Sequence, residues 1–236
     1  MLAIMLAGMV KNVKGKSLRK FVHKFVPEVE LTTEHIDGKR YYVFPDGVTK
    51  LLSVTTVLGE KLDKTGLLEW RARVGEEEAN KISVQASRRG TVIHDLAERY
   101  LRNEDMGPIL RRTMPVNVET FNSIKPELDA HIGTILGIEL PLYSKGLGCA
   151  GRTDLVAEYD GVVSIVDFKT SKQLKKVEQI ESYFLQTTIY SMMFEWLYKI
   201  AVPQIVLIIA VDHEKTPQTF VMERSKYIDR IKELFT

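Results

Sequence analysis

Two aspartates and a lysine lie on the two strands of a predicted β-hairpin. The dipeptide Asp160-Gly161 stands between two β-rich runs, and Asp-Gly is among the strongest signals for a two-residue hairpin turn. A two-residue turn there places Asp154 directly opposite Asp167. Lys169 lies two residues further along its strand, so its side chain is expected to project from the same face as the two acids.

This arrangement of charges predicts a metal site on the hairpin 151–170. Opposed side chains are roughly 5 Å apart at Cβ, and two carboxylates at that distance repel unless something neutralises them. Oxygen-rich carboxylate pairs suit a hard divalent cation such as magnesium or manganese. The hairpin is therefore interpreted as a metal site with an ammonium group beside it.

Two further pairs of polar residues are spaced four apart on predicted helices, so the members of each pair share a helix face. His94 and Glu98 form the first pair. In isolation, such a pair is typical of a structural hydrogen bond or a surface contact. Gln186 and Tyr190 form the second pair, on an apolar helix face of the kind that is normally core.

A run of hydroxyl side chains, Ser53, Thr55 and Thr56, opens a short predicted helix. Hydroxyls and free N–H groups at a helix start can bind an anion. The same residues can also act as an ordinary helix cap. Both interpretations remain open from the sequence.

The elements that must position these residues follow from hydrophobic periodicity. The predicted helix 76–101 has a kink or break at Arg88-Arg89-Gly90, and Pro126 divides the predicted helix 118–135, which Gly137 ends. Residues 103–115 are predicted to be a loop. The other expected elements are strands at 39–44, 138–144, 204–211 and 219–222, and helices at 53–60, 66–73, 178–199 and 225–235.

The order of these elements indicates an α/β fold. Helices come first, then three antiparallel strands, a helix and a further strand, which gives αβββαβ around a central mixed β-sheet flanked by helices. The run 204–211 is apolar throughout, as in a strand buried on both faces. The hairpin agrees with two-sided burial, with Leu155, Ala157 and Val166 on one face and Val156, Val163 and Ile165 on the other.

Composition limits the class of protein. The chain has 236 residues, of which 44% are hydrophobic and 27% charged, so it can bury a sizeable core. A net charge of +2 means that any basic patch must be local. Cys149 is the only cysteine, which excludes a disulfide framework and a cysteine-ligated zinc or iron–sulfur site within the chain. We expect Cys149 to be semi-buried near a strand start in a reducing compartment.

The N-terminal segment allows two interpretations. Residues 1–10 are apolar but too short to span a bilayer. The segment 11–27 then carries six basic residues and no acid, namely Lys11, Lys14, Lys16, Arg19, Lys20 and Lys24. The two stretches together match a transit peptide, or else a short strand followed by a phosphate-facing basic arm. We divide the chain into an N-terminal basic arm and β-segment (1–50) and a main domain with a helical N-terminal portion (51–236).

Five segments between Ser53 and Tyr190 resemble, in the same order, motifs of the PD-(D/E)xK nuclease superfamily. They are SVTTVL, RGTVIHDLAE, AGRTD, IVDFKTS and QTTIY. The resemblance is greatest to the RecB-like branch, including the mitochondrial genome maintenance exonucleases and related phage exonucleases. Asp167 occupies a position where many superfamily members have glutamate, although aspartate is usual in this branch. The four cysteines that hold an iron–sulfur cluster in some relatives are absent, as is a GxxxxGK phosphate loop.

The resemblance implies a restriction-endonuclease-like core and a ligand set. Magnesium or manganese would be held by His94, Asp154, Asp167 and the backbone carbonyl of Phe168, and no iron–sulfur cluster is expected. Lys169 would orient the attacking water or help to deprotonate it.

The resemblance also implies supporting roles. Glu98 would accept a hydrogen bond from the His94 ring or bind a second ion through water. Gln186 and Tyr190 would position the scissile strand or steady the catalytic lysine. The remaining candidates would contact phosphates without reading bases, and they are Arg88, Arg89, Ser53, Thr55 and Thr56.

The expected activity is that of a stand-alone DNA exonuclease acting on single-stranded or free ends. A helical arch built between Trp70 and Arg102 would favour threading of a single strand. The alternatives are a structure-specific, junction-resolvase-like endonuclease and a non-catalytic nucleic-acid-binding module. Expected partners are DNA and replication or recombination proteins, with no membrane. The expected location is the cytoplasm of a bacterial or phage-infected cell, or alternatively a mitochondrion.

Overall fold

The structure, a computed structural model, describes residues 10–11, 17–18 and 20–236. The apolar start of the chain and the basic residues Lys14, Lys16 and Arg19 lie outside these residues, so the predicted arm or transit peptide stays a prediction. Over the described ranges, no helix combines the length and the apolar character needed to cross a membrane.

The described residues form strands and helices along the whole chain. The strands are β1 Val10–Lys11, β2 Ser17–Leu18, β3 Val22–His23, β4 Thr32–Ile36, β5 Lys39–Val43, β6 Lys50–Ser53, β7 Ile132–Ser144, β8 Cys149–Tyr159, β9 Val162–Ser171, β10 Gln204–Val211 and β11 Gln218–Glu223. The helices are α1 Val54–Lys61, α2 Thr65–Val74, α3 Glu76–Leu101, α4 Met106–Arg112, α5 Pro115–His131, α6 Glu181–Tyr198 and α7 Ser225–Phe235, with a 3₁₀ turn at Val177–Gln179.

Nine of these strands form one mixed sheet. β7, β8 and β9 are consecutive and antiparallel, β10 is parallel to β9, and β11 pairs with β10 as its hairpin partner. The predicted α/β fold with its αβββαβ core is confirmed. In β10 every residue after Gln204 is buried, as expected for a strand covered on both faces.

Helices cover both faces of the sheet. One apolar cluster joins the sheet to α1, α6 and α7, and the other joins it to α3 and α5. The predicted division of the hairpin residues is confirmed. Val156, Val163 and Ile165 face the first cluster, whereas Leu155, Ala157 and Val166 face the second.

The predicted break at Arg88-Arg89-Gly90 is wrong, because α3 runs without interruption from Glu76 to Leu101. A glycine inside a helix costs about 1 kcal/mol relative to alanine, and here the helix tolerates it. A Cβ atom at Gly90 would lie 4.0 Å from the Thr170 hydroxyl of β9. The small residue thus stands where the helix passes close to the sheet.

Two other boundaries differ from the predictions. The predicted loop 103–115 contains α4, whose cap Asp105 accepts a hydrogen bond from the Gly107 N–H. Pro108 lies in the first turn of that helix, where a missing N–H costs little. The predicted helix 118–135 begins instead at Pro115 and ends at His131, and Pro126 does not divide it.

Strand β7 therefore begins at Ile132, six residues before the predicted start at Ile138. The apolar residues of this stretch pair with the end of β8, with Ile132 opposite Tyr159 and Ile135 opposite Ala157. Strand pairing here outweighs the helical spacing of the apolar residues. The proposed domain boundary at residue 50 stays a prediction, although β5 and β6 pair across it in the same sheet.

Candidate active site

Strand β8 changes partner along one of its edges. Its first residues pair with β6, as Cys149 lies opposite Leu52, and its last residues pair with β9. β7 follows the other edge of β8 for most of its length. Residues 151–154 thus lack a strand partner on the first edge, and Asp154 stands at the end of this unpaired window.

The predicted hairpin register is confirmed over the paired part of β8 and β9. Asp160 and Gly161 have φ values of 51° and 80°, the positive values that a type I′ turn requires at both central residues. The ladder then runs from Tyr159–Val162 to Leu155–Val166. It ends one pair short of Asp154 and Asp167. Instead, Asp154 Oδ2 accepts a hydrogen bond of 2.8 Å from the backbone N–H of Phe168.

His94 bridges the two strands from helix α3. Its Nε2 lies 2.8 Å from the Phe168 carbonyl oxygen, and its Nδ1 lies 3.3 Å from Asp154 Oδ1. Burial by itself would lower the pKa of His94, but the adjacent Asp154 carboxylate outweighs burial and raises the pKa to about 9. The imidazole is thus protonated at neutral pH in the metal-free protein and donates to both partners.

Lys169 and Asp167 form a buried ion pair on β9. Burial and the charge of Asp154 raise the pKa of Asp167 to about 6, although Lys169 opposes this shift. Burial would lower the pKa of Lys169, yet the two aspartates overcome it and hold that pKa above its ordinary value. The Lys169 ammonium also lies 5.1 Å from the centroid of the Tyr183 ring, within cation–π distance.

The charge of the two aspartates is divided unequally. Burial would raise the pKa of Asp154, but His94 and Lys169 lower it below the ordinary range. Asp154 is therefore the carboxylate that stays ionised, since it faces two cations and a main-chain donor. Asp167, which is 2% exposed, is the one that the buried environment favours in its protonated form.

Glu139 completes the site, and the sequence analysis missed it. It lies on β7 between the pairs Ile138–Leu155 and Leu140–Thr153, which puts it opposite Asp154. Its φ of 51° is rare for a residue other than glycine. Burial, and then the charge of Asp154, raises the pKa of Glu139 to about 7. The available signal was that Glu139 is the only charged residue in the apolar strand IGTILGIELPLYS.

His94, Glu139 and Asp154 have the chemistry of a metal site. Each offers one ligand atom, and within the described part of the chain these atoms lie within 4.8 Å of one another. One imidazole and two carboxylates suit magnesium or manganese. Asp167 is not part of this group and pairs with Lys169 instead, so its predicted role as a ligand, like that of the Phe168 carbonyl, stays a prediction.

Glu98 lies one helical turn after His94 and forms an ion pair with Arg102 over 2.9 Å. Its charge contributes to the raised pKa of Glu139, which indicates that the two carboxylates are neighbours. Its predicted contact with a second ion through water stays a prediction.

Tyr190 packs against the unpaired window of β8. The residue is 2% exposed, and a Cβ atom built on Gly151 would lie only 2.5 Å from its hydroxyl oxygen. Glycine at 151 is thus what allows the ring to lie against the main chain of β8. Gln186, one turn earlier on α6, is only partly buried and lines a cavity beside the site.

The hydroxyl run caps helix α1. Ser53 is fully buried and its Oγ accepts a hydrogen bond from the Thr56 N–H over 3.1 Å. The Thr56 hydroxyl lies 2.7 Å from the same oxygen. Thr55 is exposed, and its hydroxyl accepts from Arg40 over 3.3 Å. The capping interpretation is confirmed, and the predicted phosphate contacts stay predictions.

The two predicted arginines have different surroundings. Arg89 forms an ion pair with Asp212 and lines a cavity of about 230 Å³ together with Thr170 and Lys172. Arg88 is exposed and lines a different surface depression on α3. Of the two, Arg89 is nearer to β9 and its lysine.

Residues 106–233, more than half of the chain, match the family model of the PD-(D/E)XK nuclease superfamily. The matched region contains Glu139, Asp154, Asp167 and Lys169. The chain belongs to the PD-(D/E)XK nuclease superfamily. It thus carries a nuclease domain, whose substrate class is nucleic acid. The predicted placement in the RecB-like branch stays a prediction.

The other comparisons add little. No curated protein sequence matches this chain. Among solved structures, the chain is similar to the crystal structure of SSO0001, with 13% sequence identity and a TM-score of 0.32 over 70% of this chain and 67% of the other. A similarity at this level supports no argument about function.

Proposed function

We propose that the protein is a magnesium- or manganese-dependent deoxyribonuclease that removes nucleotides from single-stranded DNA ends. The observation that carries this proposal is the position of the His94–Glu139–Asp154 ligand group beside the buried Asp167–Lys169 ion pair. Metal ligands next to a fixed ammonium group are what hydrolysis of a phosphodiester requires.

The side chains of the site divide the chemistry between them. His94, Glu139 and Asp154 would hold the ion, with Asp167 joining them once its charge is released from Lys169. When bound, magnesium or manganese neutralises charge on the phosphate and lowers the pKa of water. Because its pKa is raised, Lys169 keeps its proton, so it orients water and stabilises negative charge on the phosphate rather than acting as the base.

The substrate strand would be held mainly through its phosphates. Arg89 lines a polar cavity with Thr170 and Lys172 at the end of β9, two to three residues beyond Lys169. On the other side of the site, Thr55 and Arg40 present a hydroxyl and a guanidinium group at the start of α1. Such contacts fix the register of a strand without reading its bases.

The preference for single strands is supported by helices α2 and α3. None of the residues of α2 is buried, and Ala79 is the only buried residue in the first half of α3. These two helices pack against one another and form the candidate arch between Trp70 and Arg102. A free strand can pass beneath such an arch, whereas a closed circle cannot.

Two alternative activities predict different products. A junction-resolvase-like endonuclease would cut DNA without a free end. A non-catalytic binding module would bind DNA without cutting it, but such a module has no use for the complete set of Asp154, Asp167 and Lys169 that this chain retains.

The test is digestion of end-labelled single- and double-stranded DNA with magnesium, manganese or EDTA, beside a circular single strand of the same sequence. We expect metal-dependent release of short products from the linear single strand and an intact circle. Cleavage of the circle would favour an endonuclease, and binding without cleavage would favour the inert module.

A further inference from the structure

A cavity of about 320 Å³ lies between α1, the start of α2 and α6. Its volume is at the small end of the range for ligand pockets, about 300–1,000 Å³. The walls are mainly leucine side chains with one aromatic ring, and polar atoms are contributed from α1 and α6. The residues that matter here are Leu58, Leu62, Leu67, Tyr183, Thr55 and Gln186.

This cavity is continuous with the candidate active site through Tyr183. The Tyr183 ring lines the cavity and also lies beneath the Lys169 ammonium, 5.1 Å from its centroid. A group bound in the cavity is thus separated from the proposed catalytic lysine by a single side chain. The cavity is also bordered by Thr55, whose hydroxyl accepts a hydrogen bond from Arg40, so a positive charge lies at its rim.

Apolar walls, one aromatic ring and a few polar atoms match a flat heterocycle attached to a phosphate backbone. Base stacking on aromatic side chains tolerates any sequence because every base has a π-face. Leu67 is 53% exposed, so the cavity has an apolar lip in the metal-free, DNA-free protein. That lip would be covered when a base enters.

We propose that this cavity binds the nucleobase of a nucleotide next to the scissile phosphate, by contact with Tyr183 and the leucines and without a fixed base preference. The proposal rests on the proposed nuclease function and adds the subsite that makes it selective. A base in the cavity has left its stack and its partner, so the substrate must be unpaired at that nucleotide. Single-strand preference thus arises at the subsite itself.

The first test compares Leu67→Ala with Leu68→Ala. The two leucines are adjacent on α2 and similarly exposed, at 53% and 61%, but only Leu67 lines the cavity. We expect kcat/KM on a linear single strand to fall about tenfold in Leu67→Ala, as for loss of one base-stacking contact, and to be unchanged in Leu68→Ala. Equal activity of the two variants would overturn the proposal.

The second test fills the cavity. Gly59 lines it and Gly66 does not, and a Cβ atom at either position meets nothing within 4 Å. Gly59→Trp is expected to weaken cleavage of a single strand, with Gly66→Trp as the matched control. A scan with single abasic nucleotides should show one position at which the missing base lowers kcat/KM about tenfold in the wild type, and that difference should disappear in Gly59→Trp.

The two proposals fail in distinguishable ways. Wild-type protein that does not cleave DNA with either metal would refute the nuclease proposal. Wild-type protein that cleaves, but loses nothing at any abasic position and treats Gly59→Trp like Gly66→Trp, would refute the base subsite alone. Binding of the same oligonucleotides by the Lys169→Ala variant gives an independent readout, since the abasic effect on affinity should persist without cleavage.

Discussion

Asp154 and Phe168 are joined by a side chain–main chain hydrogen bond, in which the Phe168 N–H donates to Asp154 Oδ2 over 2.8 Å. The carbonyl of the same residue lies 2.8 Å from His94 Nε2. Phe168 stands between Asp167 and Lys169 on β9, so both polar groups of its main chain are bound to side chains of the site. The two side chains of β9 are thereby fixed relative to the metal-ligand group.

Replacing Asp154 separates its charge from its structural role. Asp154→Asn keeps an oxygen that can accept from Phe168 but removes the charge, so we expect loss of cleavage with nearly unchanged stability. Asp154→Ala removes the acceptor as well and should unfold more readily by about 1–3 kcal/mol. Urea unfolding and an end-labelled cleavage assay measure the two effects. Normal turnover in both variants would exclude Asp154 from the chemistry.

Replacing Lys169 should abolish cleavage while DNA binding remains. Lys169→Met keeps the length of the side chain and removes the ammonium group next to Asp167. Without that charge, the pKa of Asp167 should rise further, because burial and Asp154 already raise it. The matched control is Lys215→Met, since Lys215 is exposed on the loop before β11. A Lys169→Met variant that cleaves as fast as the control would contradict the assignment.

Glu139 is expected to bind the metal directly. Glu139→Gln should raise the magnesium concentration needed for half-maximal cleavage by roughly ten- to a hundredfold, the range seen when groups that support metal ligands are removed. Glu98→Gln, at the neighbouring carboxylate, should have a smaller effect because Glu98 pairs with Arg102. Identical magnesium titrations for the wild type and Glu139→Gln would place Glu139 outside the metal site.

Metal affinity should increase with pH. A metal ion must displace the proton of His94, whose pKa is raised to about 9, and that of Glu139, whose pKa is raised to about 7. Apparent magnesium affinity is thus expected to rise between about pH 6 and pH 9 and to level off above that. Isothermal titration at several pH values measures this, and His94→Ala should flatten the upper part of the profile.

The stability of the metal-free protein should change in the opposite direction. The folded-state pKa of His94 lies above its ordinary value of 6.5, so its attraction to Asp154 contributes fully below about pH 6.5 and is lost as the pH rises through about 9. Urea unfolding in EDTA should therefore show this contribution decreasing across that interval, and a profile identical to that of His94→Ala would argue against it.

Substitution of Gly151 should disturb the site from behind. A Cβ atom at this position would lie 2.5 Å from two atoms of the Tyr190 ring, so Gly151→Ala is expected to cost about 1–3 kcal/mol of stability and to reduce cleavage. Gly146→Ala is the control, because its Cβ would lie 3.8 Å from the nearest atom outside its chain neighbours. Equal melting temperatures for the two variants would show that Tyr190 moves freely.

The sequence was most informative where local chemistry decides the structure. The turn at Asp160-Gly161 determines the hairpin register, and with it the neighbourhood of Asp154 and Asp167. Glu139 could not be found in this way. Its position depends on the register shifts between β7 and β8 around Ile135 and Gly137, which arise from pairing between distant segments and leave no short-range pattern.

The same distinction explains the other errors. Gly90 would interrupt an isolated helix, but the tertiary packing of α3 on the sheet holds the helix together. Residues 132–137 have apolar spacing that fits a helix or a strand, and the partner strand β8 decides between them. In both cases contacts made after collapse outweigh local preference.

The window at 151–154, where β8 has left β6 and has not yet joined β9, gives this protein a particular vulnerability. Main-chain groups there are accommodated by catalytic and supporting side chains instead of by a neighbouring strand, so integrity of the scaffold and capacity for hydrolysis depend on the same few atoms. Random mutagenesis should consequently yield few variants of this segment that are soluble yet inactive. Most loss-of-function changes within it would reduce yield and turnover together.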